Sequence, residues 1–258
     1  MNRILATLLA LSLSTSVLVA QDDRLDDLTF EEMPLKDESV PYFAVGVGPT
    51  LSLFMPNYDD VNALGTSLGI GTMSGSIAQW GGEIFTAIGV VPNMRVGFSW
   101  VTGNNSVSKD TAFATGGPSY TRAMKYNVSM RTLKLDYAIV PFKSFAIIPG
   151  VGIGFGTLTL ETYQSAKNRT WSDYGTIPAT SPDSYSILER SVIYAAPKLD
   201  LEYAVTPFLN LRVNASYALQ LAGGDWTGNR TAVVSDVPSG IKLQGFSAQF
   251  GVFVGLFN

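Results

Sequence analysis

Eight charged residues fall at spacings that group them on strand faces: Glu83, Arg95, Lys134, Asp136, Lys198, Asp200, Glu202 and Arg212. Lys134 and Asp136 are two apart, as are Lys198, Asp200 and Glu202, so in extended backbone each group points to one side. Four carboxylates face four cations, a set able to neutralise itself through charge-assisted hydrogen bonds. Catalytic chemistry has few candidates. The chain holds no His and no Cys, which removes thiolate nucleophiles, Ser-His-Asp and Cys-His arrangements, and imidazole or thiolate metal ligands. No pair of acids stands apart in a way that suggests carboxylate acid-base work. Neither a GxGxxG nor a P-loop spacing occurs, and no basic stripe suits nucleic acid. We therefore expect a protein that is not an enzyme, with no cofactor, no metal and no nucleic-acid partner.

The elements that position these charges show in the apolar pattern. From Pro41 onward apolar residues recur with period two, as strands with one apolar face require. Phe43, Val45, Val47, Leu51 and Leu53 stripe the first strand, and Trp80, Ile84, Ile88 and Val90 the second, opposite Glu83 and Phe85. The third sets Met94, Val96, Phe98 and Trp100 against Arg95; the fourth sets Leu133, Leu135, Tyr137 and Ile139 against Lys134 and Asp136. In the fifth, Phe145, Ile147, Val151, Ile153 and Phe155 oppose Gly150, Gly152, Gly154 and Gly156, which leave room for a narrow cavity. The sixth carries Ile193, Leu199, Leu201, Tyr203 and Val205 against Lys198, Asp200 and Glu202. The seventh carries Leu209, Leu211, Val213, Tyr217 and Leu219 against Asn210, Arg212 and Asn214, and the last runs from Phe246 through Phe250 and Val254 to Leu256. If the sixth and seventh strands pair across their tight turn, Glu202 faces Arg212 and Asp200 faces Asn214.

Connections alternate in length. Long ones cover about residues 55–78, 103–120, 163–188 and 222–240, and short ones 91–93, 141–144 and 206–208. That rhythm is the layout of an all-β, eight-stranded, antiparallel up-and-down transmembrane β-barrel. Only 15% of the 258 residues are charged, against about 25% in soluble domains. With apolar faces toward lipid, the eight charges converge on a narrow lumen. Aromatic residues form two girdles: Tyr42, Phe43, Tyr137, Phe142, Phe145, Tyr203 and Phe208 toward the short turns, and Trp80, Trp100, Phe155, Tyr217 and Phe246 toward the long loops. Pro49, Pro149 and Pro197 lie inside strands and predict a bulge or a broken ladder at each. Tyr126, Val128 and Met130 fall on the face opposite Leu133 and Leu135, which predicts either a bulge or a strand already above lipid. In the first long loop, Val61, Leu64 and Leu68 predict a short helix over the mouth, capped by Asn57 or Asp59. Trp171, Tyr174, Tyr185 and Trp226 are loop aromatics that either meet an external ligand or pack the loops against one another.

Ahead of the barrel, residues 1–20 read as a cleaved signal peptide, with Arg3, an apolar run from Ile4 to Val19, and Ala20 at the cut. Residues 21–40 hold eight acids against Arg24 and Lys36, an acidic, disordered periplasmic segment by composition. Residues 41–258 are then the transmembrane barrel, with fourteen bases and thirteen acids.

Signal, eight alternating strands, short turns, long loops and the ending Val252-Phe253-Val254-Gly255-Leu256-Phe257-Asn258 resemble the small outer-membrane barrels of Gram-negative-type bacteria, the OmpA/OmpX/OmpW-like group. The resemblance implies location in the bacterial outer membrane, both termini in the periplasm, outer-membrane lipid around the barrel, the barrel assembly machinery as partner during biogenesis, and an extracellular ligand met through the long loops. Two roles fit such a chain. One is a structural or surface-interaction barrel whose lumen is plugged by the charge network; the other is a narrow channel or binding barrel for a small solute, hydrophobic or not.

Overall fold

The computed structural model describes residues 42–112, 119–166 and 183–257. The expected signal peptide and acidic segment, and the loop aromatics Trp171 and Tyr174, lie outside them. Among the described residues eleven strands and one helix follow in chain order: β1 (Ala44–Pro56), α1 (Asp59–Ser67), β2 (Ile77–Ala87), β3 (Met94–Ala112), β4 (Ser119–Tyr137), β5 (Ile139–Phe142), β6 (Phe145–Ala166), β7 (Ser184–Thr206), β8 (Leu209–Gly223), β9 (Trp226–Gly228), β10 (Ala232–Val234) and β11 (Gly245–Phe257).

Eight of these strands close a ring. β7, β8, β11, β1, β2, β3, β4 and β6 pair in that order, and β6 pairs with β7. Every pair is antiparallel, including the closing pair of β1 with β11, where Ala44 faces Phe257. Closure leaves no free edge in the ring, so ladder groups find partners without water. The three short turns and both ends of the ring, Ala44 and Phe257, share one end: Pro207 O accepts the Phe257 amide at 2.9 Å, Ser144 O that of Ala204 at 2.8 Å, and Asn93 O that of Ala138 at 2.7 Å. Asn93 turns the second hairpin at φ 64, a conformation that Asn tolerates better than most residues.

The outer face carries an apolar band in the half nearest the short turns. On β6 the outward stripe runs from Phe145 to Phe155 and on β11 from Phe246 to Leu256, eleven residues each, about the 9–11 that a tilted strand needs to cross a bilayer. Trp80, Trp100, Phe155, Tyr217 and Phe246 are exposed at its upper border, and Phe43, Tyr137, Phe142, Tyr203 and Phe208 at its lower one. Tyr42 departs from the predicted girdle. It is buried and turned inward, because its hydroxyl has a carboxylate partner in the lumen.

At the upper border the wall changes chemistry on both faces at once. Outside, Trp100, Arg131, Phe155 and Ile193 stand side by side across β3, β4, β6 and β7. The next outward row is Thr102, Ser129, Thr157 and Ser191, all hydroxyls. Inside, the reverse happens: Ser99, Thr132, Gly154 and Tyr194 give way to Val101, Met130, Gly156 and Val192, then to Val128 and Leu158. β4 pairs with β3 in one unbroken register from Met94↔Tyr137 to Ala112↔Ser119. The inward turn of Tyr126, Val128 and Met130 is therefore no bulge. The strand has risen above the band, where water lies outside and an apolar core lies inside.

That inversion corrects two of the predicted loops. Both ends of 103–120 and of 163–188 are strand, since β3 continues to Ala112, β4 starts at Ser119, β6 reaches Ala166 and β7 begins at Ser184. Their outward Asn, Ser and Thr residues look like loop composition, yet the ladder holds them in register. The prolines break ladders without shifting them. Pairing of β1 with β11 skips Gly48 and Pro49 between Val47↔Val254 and Thr50↔Gly251. Pairing of β7 with β8 skips Ala196 and Pro197 between Ala195↔Leu219 and Lys198↔Ser216. Pro149 sits opposite the junction of β4 and β5. Each proline lacks the N–H that its rung would use, so the register bridges the gap and no bulge forms.

Candidate functional site

The inward faces of β2, β3, β4, β7 and β8 bring all eight predicted charges together in the lower lumen, each buried. Neighbouring strands place two pairs directly opposite each other, Arg95 with Asp136 and Glu202 with Arg212, and set Asp200 against Asn214. Arg95 reaches furthest. Its guanidinium donates to Asp136 at 2.8 Å and to Asp200 at 2.9 Å, and also to Glu202. Lys198 bridges Asp200 at 2.5 Å and Asp136 at 3.0 Å. Arg212 donates to Glu202 at 2.5 Å and to Glu83, and Lys134 donates to Glu83 at 2.6 Å. The result is one connected cluster of four cations and four anions, the arrangement in which buried charge is tolerable.

Neutral groups complete it. The Tyr42 hydroxyl donates to Glu202 at 2.9 Å, Asn210 donates to the same carboxylate at 3.3 Å, and Asn214 donates to Asp200. The guanidinium of Arg212 lies 4.2 Å from the ring centres of Phe85 and Phe253, and that of Arg95 lies 4.6 Å from Phe85. These flat, weakly hydrated cations are thus desolvated against aromatic faces, which attract them. Tyr42, Phe85, Asn210 and Phe253 were not among the predicted site residues. Phe85 and Phe253 carried a signal in being large rings on otherwise polar or small-residue faces.

Apolar layers close the lumen on both sides of the charges. Toward the short turns Tyr42, Ala44, Phe85, Ala138, Ala146, Ile148, Phe253 and Phe257 form one cluster. Toward the other end a larger core joins Met124, Tyr126, Val128, Leu158 and Leu160 of the wall to Tyr58, Val61 and Ile70 of the first loop and Ile241 and Leu243 of the last. α1 is part of this core, with Val61 buried and Leu64 packed against it. The N-cap position is Tyr58, whose side chain makes no cap hydrogen bond; Asn57, one residue earlier, satisfies a first-turn donor instead, its Oδ1 accepting the Asp59 amide at 2.7 Å. Burial pushes the Tyr58 phenol above its ordinary range, opposed by its hydrogen bond from Asn105 at 3.0 Å.

Between the charge layer and the upper core lies a cavity of about 40 Å³, bordered by Lys134, Lys198, Gln79 and Tyr194. Of the four alternate glycines Gly152 lines it, whereas Gly154 and Gly156 are filled by neighbours. A Cβ at Gly154 would stand 2.1 Å from Arg131 O and 2.9 Å from the Tyr194 ring, and one at Gly156 would stand 2.4 Å from Leu243. The missing side chains at Gly154 and Gly156 admit neighbours, so the room predicted beside this strand is reduced to the small cavity at Gly152.

No family model and no curated protein matches the chain. Among solved structures it is similar in fold to a major outer membrane protein from Thermus thermophilus, with 8% identity over 83% of this chain and 99% of that one and a TM-score of 0.47. It is also similar to Ail, the attachment invasion locus protein of Yersinia pestis, with 10% identity over 84% and 99% and a TM-score of 0.37. Neisserial surface protein A shares 11% identity over 82% and 96%, with a TM-score of 0.35.

The remaining loop aromatics differ in placement. Tyr185 is exposed at the start of β7, its hydroxyl 3.5 Å from Glu161. Trp226 is buried in the upper core, its ring 5.7 Å from the Arg190 guanidinium. Burial removes Trp226 as a contact for an external ligand and makes it a packing residue.

Proposed function

We propose that this chain is a closed, non-catalytic barrel of the bacterial outer membrane, with both termini in the periplasm and its tall loop-bearing end turned outward. The single observation that carries this reading is the filling of the lumen: apolar cluster, charge layer, small cavity, apolar core. The cavity of about 40 Å³ has room for about three or four waters at about 10–15 Å³ each, and none for a solute. The eight charges are the plug that fixes the wall rather than the lining of a path, since each carboxylate already meets a cation. Lipid surrounds the band, the assembly machinery inserts the barrel, and extracellular ligands meet the raised wall and its loops.

The test is single-channel conductance of the refolded full chain in a planar bilayer, after its folded band has been shown to shift on heating. A silent membrane is the expected result. Reproducible openings altered by Lys134→Ala would overturn the plug and make the charge layer a pore lining.

A further inference from the structure

The barrel is taller on one side than on the other. β3, β4, β6 and β7 rise past the apolar band, whereas β1 ends at Pro56 and β11 begins at Gly245. On this low side the last outward rung of the band is Met55, Phe246 and Tyr217, which are in register across β1, β11 and β8 and all exposed. Immediately above it opens a cavity of about 760 Å³. Its floor is that rung, and its walls are the foot of the first loop, with Asn57 and Asp59, and the end of the last, with Lys242 and Gln244. Asp60 Oδ2 accepts the Gly240 amide at 2.8 Å and ties the two walls together. Gln244 donates to the Tyr217 hydroxyl at 3.2 Å, joining the polar wall to the ring at the membrane border.

The cavity is therefore continuous with the band below and polar at headgroup height. A water-soluble ligand has no use for Met55 and Phe246, and a bare hydrocarbon chain has none for Asn57, Asp59, Lys242 and Gln244. Charge narrows the choice further: Asp59 and Lys242 line the cavity, and Asp60, beside it on the Gly240 amide, tips the local balance to negative. Asp59 and Asp60 outnumber Lys242, which disfavours a phosphate head, while amide, ammonium and carboxylate groups together offer donors and acceptors to hydroxyls. We propose that this cavity binds a glycolipid of the surrounding leaflet, its acyl chains on Met55 and Phe246 and its saccharide head between Asp59, Lys242, Gln244 and the Tyr217 ring. The proposal rests on the membrane-spanning reading above.

To test it, the full chain is refolded into phosphatidylcholine vesicles containing equal minor amounts of diglucosyl diacylglycerol and phosphatidylglycerol, then extracted in mild detergent. Native mass spectrometry counts the lipid retained. One diglucosyl lipid per barrel is expected, and the double variant Lys242→Ala, Gln244→Ala should lower its retention about tenfold through loss of two hydrogen-bonding side chains. Thr157→Ala, in the hydroxyl row on the tall side, should leave retention unchanged. Equal retention of both lipids, preference for phosphatidylglycerol, or indifference to the double variant overturns the site. Failure of the folded chain to enter vesicles at all would instead overturn the membrane-spanning reading.

Discussion

Glu83 and Lys134 form one ion pair, yet removing its two halves should have unequal effects. Among the described residues Glu83 is the one carboxylate with which Lys134 makes an ion pair, at 2.6 Å, whereas Glu83 also receives Arg212. Glu83→Gln leaves the buried Lys134 ammonium without a counter-charge, while Arg212 keeps Glu202 at 2.5 Å. Breaking a buried pair in this way costs about 3–5 kcal/mol. Lys134→Met keeps most of the side-chain stem and leaves Glu83 held by Arg212, so the loss is nearer that of one charged hydrogen bond, about 1.5–3 kcal/mol. The double variant removes both charges and should be more stable than Glu83→Gln alone. Urea unfolding in micelles, followed by tryptophan fluorescence and by the heat-shifted band, measures all three against the parent. If Lys134→Met costs as much as Glu83→Gln, or if the two effects simply add, the connectivity described for the charge layer is wrong.

The inversion of the wall gives a matched set. Val128→Lys buries a charge in the upper core and should prevent or strongly weaken folding, whereas Asn127→Lys, next along β4 on the outward face, should change stability by no more than about 0.5 kcal/mol. Within the band, Leu135→Lys, level with Val151 near its middle, should cost about 2–4 kcal/mol in a lipid bilayer, and Thr157→Lys should cost little; equal costs at 135 and 157 would misplace the border. Gly154→Ala brings a methyl against Arg131 O and the Tyr194 ring, and overpacking of this kind costs about 1–3 kcal/mol in the same unfolding assay. The folded Tyr58 phenol holds its proton more tightly than an unfolded one, so stability should fall as pH rises past about 10, where the unfolded phenol ionises. Comparison of unfolding midpoints between pH 9 and 11 should show a weaker decline in Tyr58→Phe; an identical decline would clear Tyr58 of the effect.

The band and the charge layer are legible in the sequence because both follow from period two. A stripe such as Leu199, Leu201, Tyr203 has one outward solution, and the tight turn at Thr206-Pro207 fixes the pairing that sets Glu202 against Arg212. The upper half is not legible for the same reason. There the outward face meets water, so Asn104, Ser106 and Ser108 read as loop and Tyr126, Val128 and Met130 read as a change of face, although β3 and β4 never lose register. Period alone states that two faces differ; it does not state which one meets the solvent. Distance from a turn places Tyr42 in the girdle, and only the position of Glu202 shows why it points inward. Loop position suggests an exposed Trp226, and its burial depends on contacts far away in sequence.

The border between Trp100, Phe155 and Ile193 and the hydroxyl row above them also works as a waterline. Sliding the barrel along its axis by one outward rung, about 6–7 Å of strand, would either lift the aromatic rings into water or submerge Thr102, Ser129, Thr157 and Ser191 in hydrocarbon. Submergence is opposed on four adjacent strands together, and lifting on three of them, since β4 carries Arg131 in the border row. The protein therefore has little freedom to float higher or lower, and in a membrane thicker or thinner than its band the lipid must stretch or compress to meet it.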